Sequence, residues 1–169
     1  LEIADKTPSV KVLNALYKNN GDLTFTHHEK EWGIKNKSWS QGCAYADLDN
    51  DGDLEIIINN INDPATIYKN MSFEYSGNNV LNISLKGSKG NHHGIGAKVK
   101  AFAEDKIFYN QVTPYRGYMS SNQPMINFGL GKMNKVDSII VLWPGGMKST
   151  VLNPKVNRTT IIDIGKAVK

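Results

Sequence analysis

Apolar positions along this chain fall either in short runs or in strict alternation, and neither grouping has a helical period. Leu81, Ile83 and Leu85 alternate with Asn82, Ser84 and Lys86, the signature of a strand with one buried face. Segments 97–103, 107–112, 125–128, 136–143, 148–152 and 159–164 read as further strands. Turn chemistry separates them at Glu104-Asp105, Gly129-Leu130-Gly131, Pro144-Gly145-Gly146 and Asn153-Pro154. Short strands at this spacing predict a β-sandwich or a small barrel. Upstream, Cys43-Ala44-Tyr45-Ala46 is a short apolar run. Leu54-Glu55-Ile56-Ile57-Ile58 is β-branched and bounded by Asn59-Asn60, so it predicts a buried strand. Ser76-Gly77-Asn78-Asn79 reads as a linker between the two regimes.

The segment joining the two upstream strands carries the clearest chemistry. Asp47, Asp49, Asp51 and Glu55 occupy positions one, three, five and nine of a loop, and Asp53 at position seven can offer its backbone carbonyl. Gly52 permits the sharp turn that folds these oxygens inward. Calcium takes six to eight oxygen ligands, and this spacing supplies most of them from one segment. An ordinary acidic turn would leave four carboxylates crowded without a cation, at a cost in like-charge repulsion. The loop does not fit an EF-hand, because position twelve is Ile58 and the flanks are strands.

An internal echo sets the larger organisation. Asn14-Ala15-Leu16-Tyr17-Lys18-Asn19 returns as Ala65-Thr66-Ile67-Tyr68-Lys69-Asn70, about fifty residues on, a period that suits one blade of a β-propeller. Residues 14–72 resemble an FG-GAP/VCBS repeat. The resemblance is carried by Leu16-Tyr17-Lys18-Asn19-Asn20-Gly21-Asp22-Leu23-Thr24-Phe25, by Trp39–Ala46 and by the Asp loop, with Leu23 where the pattern usually has glycine. Residues 80–164 resemble the ASPIC/UnbV domain. The matching features are Gly94-Ile95-Gly96-Ala97-Lys98-Val99, Arg116–Pro124, Asn127-Phe128-Gly129-Leu130-Gly131, and Val136 through Trp143-Pro144-Gly145-Gly146; Asn127 stands where that family usually has His. Together the two resemble the C-terminal architecture of the cartilage acidic protein family and its bacterial relatives. The expected fold is all-β: a partial propeller-type repeat over residues 1–75, a linker over 76–79, and a sandwich or small barrel over 80–169.

Composition narrows the function classes. The net charge is +4, but arginine occurs only at Arg116 and Arg158 and the lysines are scattered, unlike the clustered basic face of a nucleic-acid binder. No apolar run approaches the roughly 20 residues of a membrane helix. Leu1 is not an initiator methionine, so the chain reads as a processed or excised piece. The single Cys43 excludes an intrachain disulfide and reads as a small buried hydrophobe. Four glycosylation sequons begin at Asn36, Asn70, Asn82 and Asn157.

Other constellations are weaker. Gly94-x-Gly96 lacks the third glycine of a dinucleotide fingerprint and leads into a strand, where the glycines serve a tight turn or bulge. His27-His28 and His92-His93 are adjacent pairs, which point to opposite faces of a strand and cannot readily chelate one metal. Trp143, at a strand end, suits the edge of the core. Tyr115, Arg116, Tyr118, Ser120 and Asn122 form the densest polar-aromatic stretch and are the candidate ligand-binding residues, the alternative being a loop that ties strands together. No nucleophile elbow, zincin motif or P-loop is present, so no catalytic residue is assigned. The expected function is a calcium-binding extracytoplasmic interaction module, recognising a protein or carbohydrate through its C-terminal β domain. Alternatives are an accessory domain of an enzyme or biosynthetic protein, and a purely architectural propeller cap.

Overall fold

The computed structural model describes residues 10–169. Its upstream part consists of small antiparallel sheets. β1 (Val12–Leu13) pairs with β4 (Lys37–Ser38), and β2 (Tyr17–Asn19) with β3 (Phe25–His27). β5 (Ser40–Ala46), β6 (Glu55–Asn60) and β7 (Thr66–Tyr68) form a meander in that order. The echoed segments occupy matching places, β2 and β7, but their continuations differ. After Asn19 the chain turns through Leu23 into β3; Leu23 is fully exposed and holds the left-handed conformation (φ 68°) that glycine takes without strain. After Asn70 the chain instead forms a short helix, α1 (Ser72–Ser76), closed by Gly77 in the left-handed region.

The downstream part is a β-sandwich. One sheet runs β11 (Met125–Gly131), β8 (Asn79–Lys86), β14 (Thr159–Asp163), with β14 parallel to β8. The other runs β10 (Lys106–Gln111), β9 (Lys98–Ala103), β12 (Ser138–Leu142), β13 (Lys148–Leu152), all antiparallel. Alternation places Leu81, Ile83 and Leu85 of β8, Val99, Ala101 and Ala103 of β9, Ile126, Phe128 and Leu130 of β11, and Ile139 and Val141 of β12 in one buried cluster. Gly94 and Gly96 take positive φ in the turn before β9, while a bulge falls in β11, between Gly129 and Gly131. Trp143 is buried rather than at the rim, its indole N–H donating to Ser149 Oγ at 2.9 Å. Gly94 makes room for it: a Cβ there would stand 2.9 Å from Trp143 Cζ3.

Two expectations are corrected. Cys43 is exposed, at the open side of a cleft that it lines with Leu16, Ile34, Ile56 and Ile58. Of the apolar run in β6 only Ile58 is buried, and Ile56 and Ile57, on opposite faces, are half-buried. The sequons also separate. Asn82 is buried, Asn70 spends its side-chain amide on backbone partners and Asn157 spends its own on Val80 N–H and Asn79 Oδ1, whereas Asn36 is exposed.

Candidate metal centre

The acidic loop hangs between β5 and β6, with Asp47 following the first strand and Glu55 opening the second. Asn50 (φ 60°) and Gly52 (φ 103°) turn it back on itself. Backbone amides then orient the carboxylates. Gly52 N–H donates to Asp47 Oδ2 (3.2 Å), Asp53 N–H to Asp51 Oδ1 (3.0 Å), and Leu48 N–H to Glu55 Oε2 (2.8 Å). Glu55 is 3% exposed, so its charge has left water and depends on these contacts.

The carboxylates gather in two groups. Asp47, Asp49 and Glu55 each bring an oxygen within 4.8 Å of the others. Asp51, Asp53 and Glu74 do the same. Glu74 lies on α1, outside the loop, and nothing in the loop's spacing signals it. The helix is placed by Asp53, whose Oδ2 accepts from Ser72 Oγ (3.0 Å) and from Phe73 N–H (2.9 Å). Asp53 thus uses its side chain as well as offering the carbonyl that its position in the loop suggests.

Charge in this cluster is only partly compensated. Lys69 reaches Asp49 Oδ2 at 2.8 Å and Glu74 Oε1 at 3.2 Å. The hydrogen bond from Lys69 holds the Asp49 carboxyl below its ordinary range, and Asp49 and then Glu74 raise the Lys69 ammonium. Asp51 behaves differently. Its bond from Asp53 N–H favours the charged form, but burial and the neighbouring charges of Asp53, Asp49 and Glu74 together outweigh it and raise its pKa. Three buried oxygens, Asp47 Oδ1, Asp51 Oδ2 and Asp53 Oδ1, have no hydrogen-bond partner among the described residues. A buried anionic oxygen without a partner is costly, and a hard cation with oxygen preference is the group that satisfies several at once.

The loop is also a point of contact with the sandwich. Asn127 Nδ2 donates to Gly52 O (3.0 Å) and to Asn82 Oδ1 (2.7 Å). Asn82 and Asn127 stand opposite each other on the outer faces of β8 and β11. Gly52 is pressed against Val80, where an added Cβ would come within 2.9 Å of Val80 Cγ2. This cover explains why Val80 and Asn82, on the face of β8 that alternation assigns to water, are buried. Asn127→Ala removes the donor and leaves two acceptors shielded from solvent. It is expected to cost about 1–3 kcal/mol, read as a lower urea midpoint at unchanged slope.

The candidate ligand-binding stretch divides in two. Tyr115, Arg116 and Tyr118 are exposed, with Met119 beside them at 89%. Ser120 and Asn122 are engaged inside the molecule: Ser120 Oγ accepts from Cys43 N–H (3.1 Å) and Asn122 Oδ1 from Tyr45 N–H (2.9 Å). These bonds satisfy the outward amides of β5, the edge strand of its sheet. A shallow cleft of about 430 Å³ lies between Gln41–Ala44 and Tyr118–Ser121. The paired histidines do not converge: His27 Nδ1 lies 3.3 Å from Glu29, and His28 stacks on Trp32 at 5.0 Å.

An acidic strand-to-strand loop docked on a β-sandwich agrees with the family comparisons. Residues 7–58 match the FG-GAP-like repeat, and residues 87–169 match the family described as ASPIC and UnbV. The chain therefore carries an FG-GAP-like repeat followed by an ASPIC/UnbV domain, in an all-β fold. The second match begins after β8, although β8 is the central strand of its sheet. No curated protein gives a significant match to the chain. No helix among the described residues is long and apolar enough to cross a membrane.

Proposed function

We propose that this chain is a calcium-binding, extracytoplasmic interaction module in which the metal orders the repeat against the sandwich. Asp47, Asp49, Asp51 and Glu55 supply side-chain oxygens to the ion, and Asp53 supplies its carbonyl. The observation that carries this reading is the convergence of Asp47, Asp49 and Glu55 oxygens within 4.8 Å of one another, with Asp47 Oδ1 buried and unpartnered among the described residues, in a loop whose spacing suits calcium. The bound ion neutralises the loop and fixes the turn at Gly52, whose carbonyl and Cα rest on the sandwich. An all-oxygen set with several protein ligands favours calcium over magnesium, which retains more of its water. The extracytoplasmic assignment follows from the FG-GAP-like repeat and from the plentiful calcium outside cells, where an affinity as weak as about 10⁻⁴–10⁻³ M suffices. The role is one of binding and not of turnover, in keeping with a repeat joined to an accessory domain.

Recognition of a protein or glycan belongs, on this reading, to the exposed Tyr115, Arg116 and Tyr118. Aromatic faces beside a guanidinium suit a sugar ring or a partner's hot spot. Ser120 and Asn122 support that surface from behind by holding β5. Calorimetric titration of the chelator-stripped chain with calcium tests the metal reading. Saturable binding is expected, and a flat titration overturns it.

A further inference from the structure

We propose that Asp51, Asp53 and Glu74 form a second divalent-cation position, which pins the loop to helix α1. The inference shares two residues with the calcium reading of the loop and otherwise does not rest on it: Asp51, and Asp53, which gives its carbonyl there and its carboxylate here. Its main support is the burial of Asp53, 5% exposed, with Oδ1 lacking any partner among the described residues. Asp51 Oδ2 is buried and unpartnered in the same way. One oxygen each from Asp51, Asp53 and Glu74 lie within 4.8 Å of one another, close enough for a single ion to touch all three. The nearby ammonium serves only one of the three: Lys69 pairs with Glu74 and with Asp49 of the other group, and forms no ion pair with Asp51 or Asp53.

Three carboxylates with a fixed separation and no nitrogen or sulfur donor select a hard ion. Calcium is the better fit, because it accepts irregular oxygen cages whereas magnesium demands a near-ideal octahedron. The placement of Glu74 is not incidental. Asp53 Oδ2 receives Ser72 Oγ and Phe73 N–H, so the residue that would bind the ion also sets the helix carrying the third ligand. From α1 the chain passes through Gly77 into β8, the central strand of its sheet. The first ion position closes the loop on itself. The second ties the loop to the segment that leads into the sandwich.

The test is calorimetric stoichiometry with calcium alone, on the whole chain after chelator treatment. Wild type is expected to bind two ions. Glu74→Gln, an isosteric change at a half-exposed position, is expected to bind one, and Asp47→Asn to keep the ion that Glu74→Gln loses. Hydrogen exchange at 72–74 should slow with calcium in wild type and not in Glu74→Gln. One ion in wild type that is unaffected by Glu74→Gln overturns this proposal and leaves the loop reading standing. One ion that Glu74→Gln abolishes and Asp47→Asn spares supports it and removes the loop reading instead. No calcium binding by the wild type overturns both.

Discussion

Chelation is expected to lower the melting temperature of this protein by about 5–10 °C, and Asp47→Ala/Asp49→Ala to shrink the difference between calcium and chelator to what the second position contributes. A ligand that binds only the folded state stabilises it by about 2.7 kcal/mol when its free concentration is a hundred times its dissociation constant. For a chain of this size each kcal/mol moves the midpoint by about 2–4 °C. The double variant removes two of the three acids in the group of Asp47, Asp49 and Glu55, including the orphaned Asp47 Oδ1, and leaves the group of Asp51, Asp53 and Glu74 intact. A second sign distinguishes the metal reading from simple damage. In chelator the variant should melt close to wild type, because relief of like-charge repulsion offsets the lost bonds from Gly52 N–H and Lys69. A wild-type melting curve that ignores calcium refutes the reading.

Leu81→Ala should destabilise the chain by about 2–5 kcal/mol, a fall of about 10 °C. Leu81 is fully buried at the centre of the sheet β11-β8-β14, in the cluster that contains every large, fully buried side chain among the described residues. Alanine there leaves a cavity that two facing sheets cannot close without breaking register. The contrast is Ile67→Ala on β7, 60% exposed, which should shift stability by less than about 0.5 kcal/mol. Calorimetric melting of the two variants beside wild type decides the matter. Equal, small shifts would mean that the sandwich core does not control unfolding.

Much of this is legible locally. The strand at Lys148–Leu152 has the limits its pattern predicts, and the inward residues of β8 are those its alternation names. The acid spacing from Asp47 to Glu55 identifies the loop before any contact is known. Ser120 and Asn122 show where such reading stops. As a polar-aromatic run they suit a ligand, but their partners are backbone amides of β5, 77 residues earlier in the chain. Glu74 is equally opaque, since a lone acid in a short segment carries no sign of the loop it faces.

What the sequence determined by itself is periodicity and ligand spacing: which face of each strand can be buried, and which nine residues crowd oxygens around a turn. Both are local, because side chains alternate every residue along a strand and a nine-residue loop positions its own carboxylates. What only the tertiary structure decided is what covers the remaining faces. Val80 and Asn82 are buried because Gly52 and Asn127 lie against them, and Cys43 is exposed because the segment across from it, with Leu16 and Ile34, leaves an open cleft. Alternation specifies two faces but only one occupant, and the second occupant comes from a distant segment whose arrival depends on the whole chain folding.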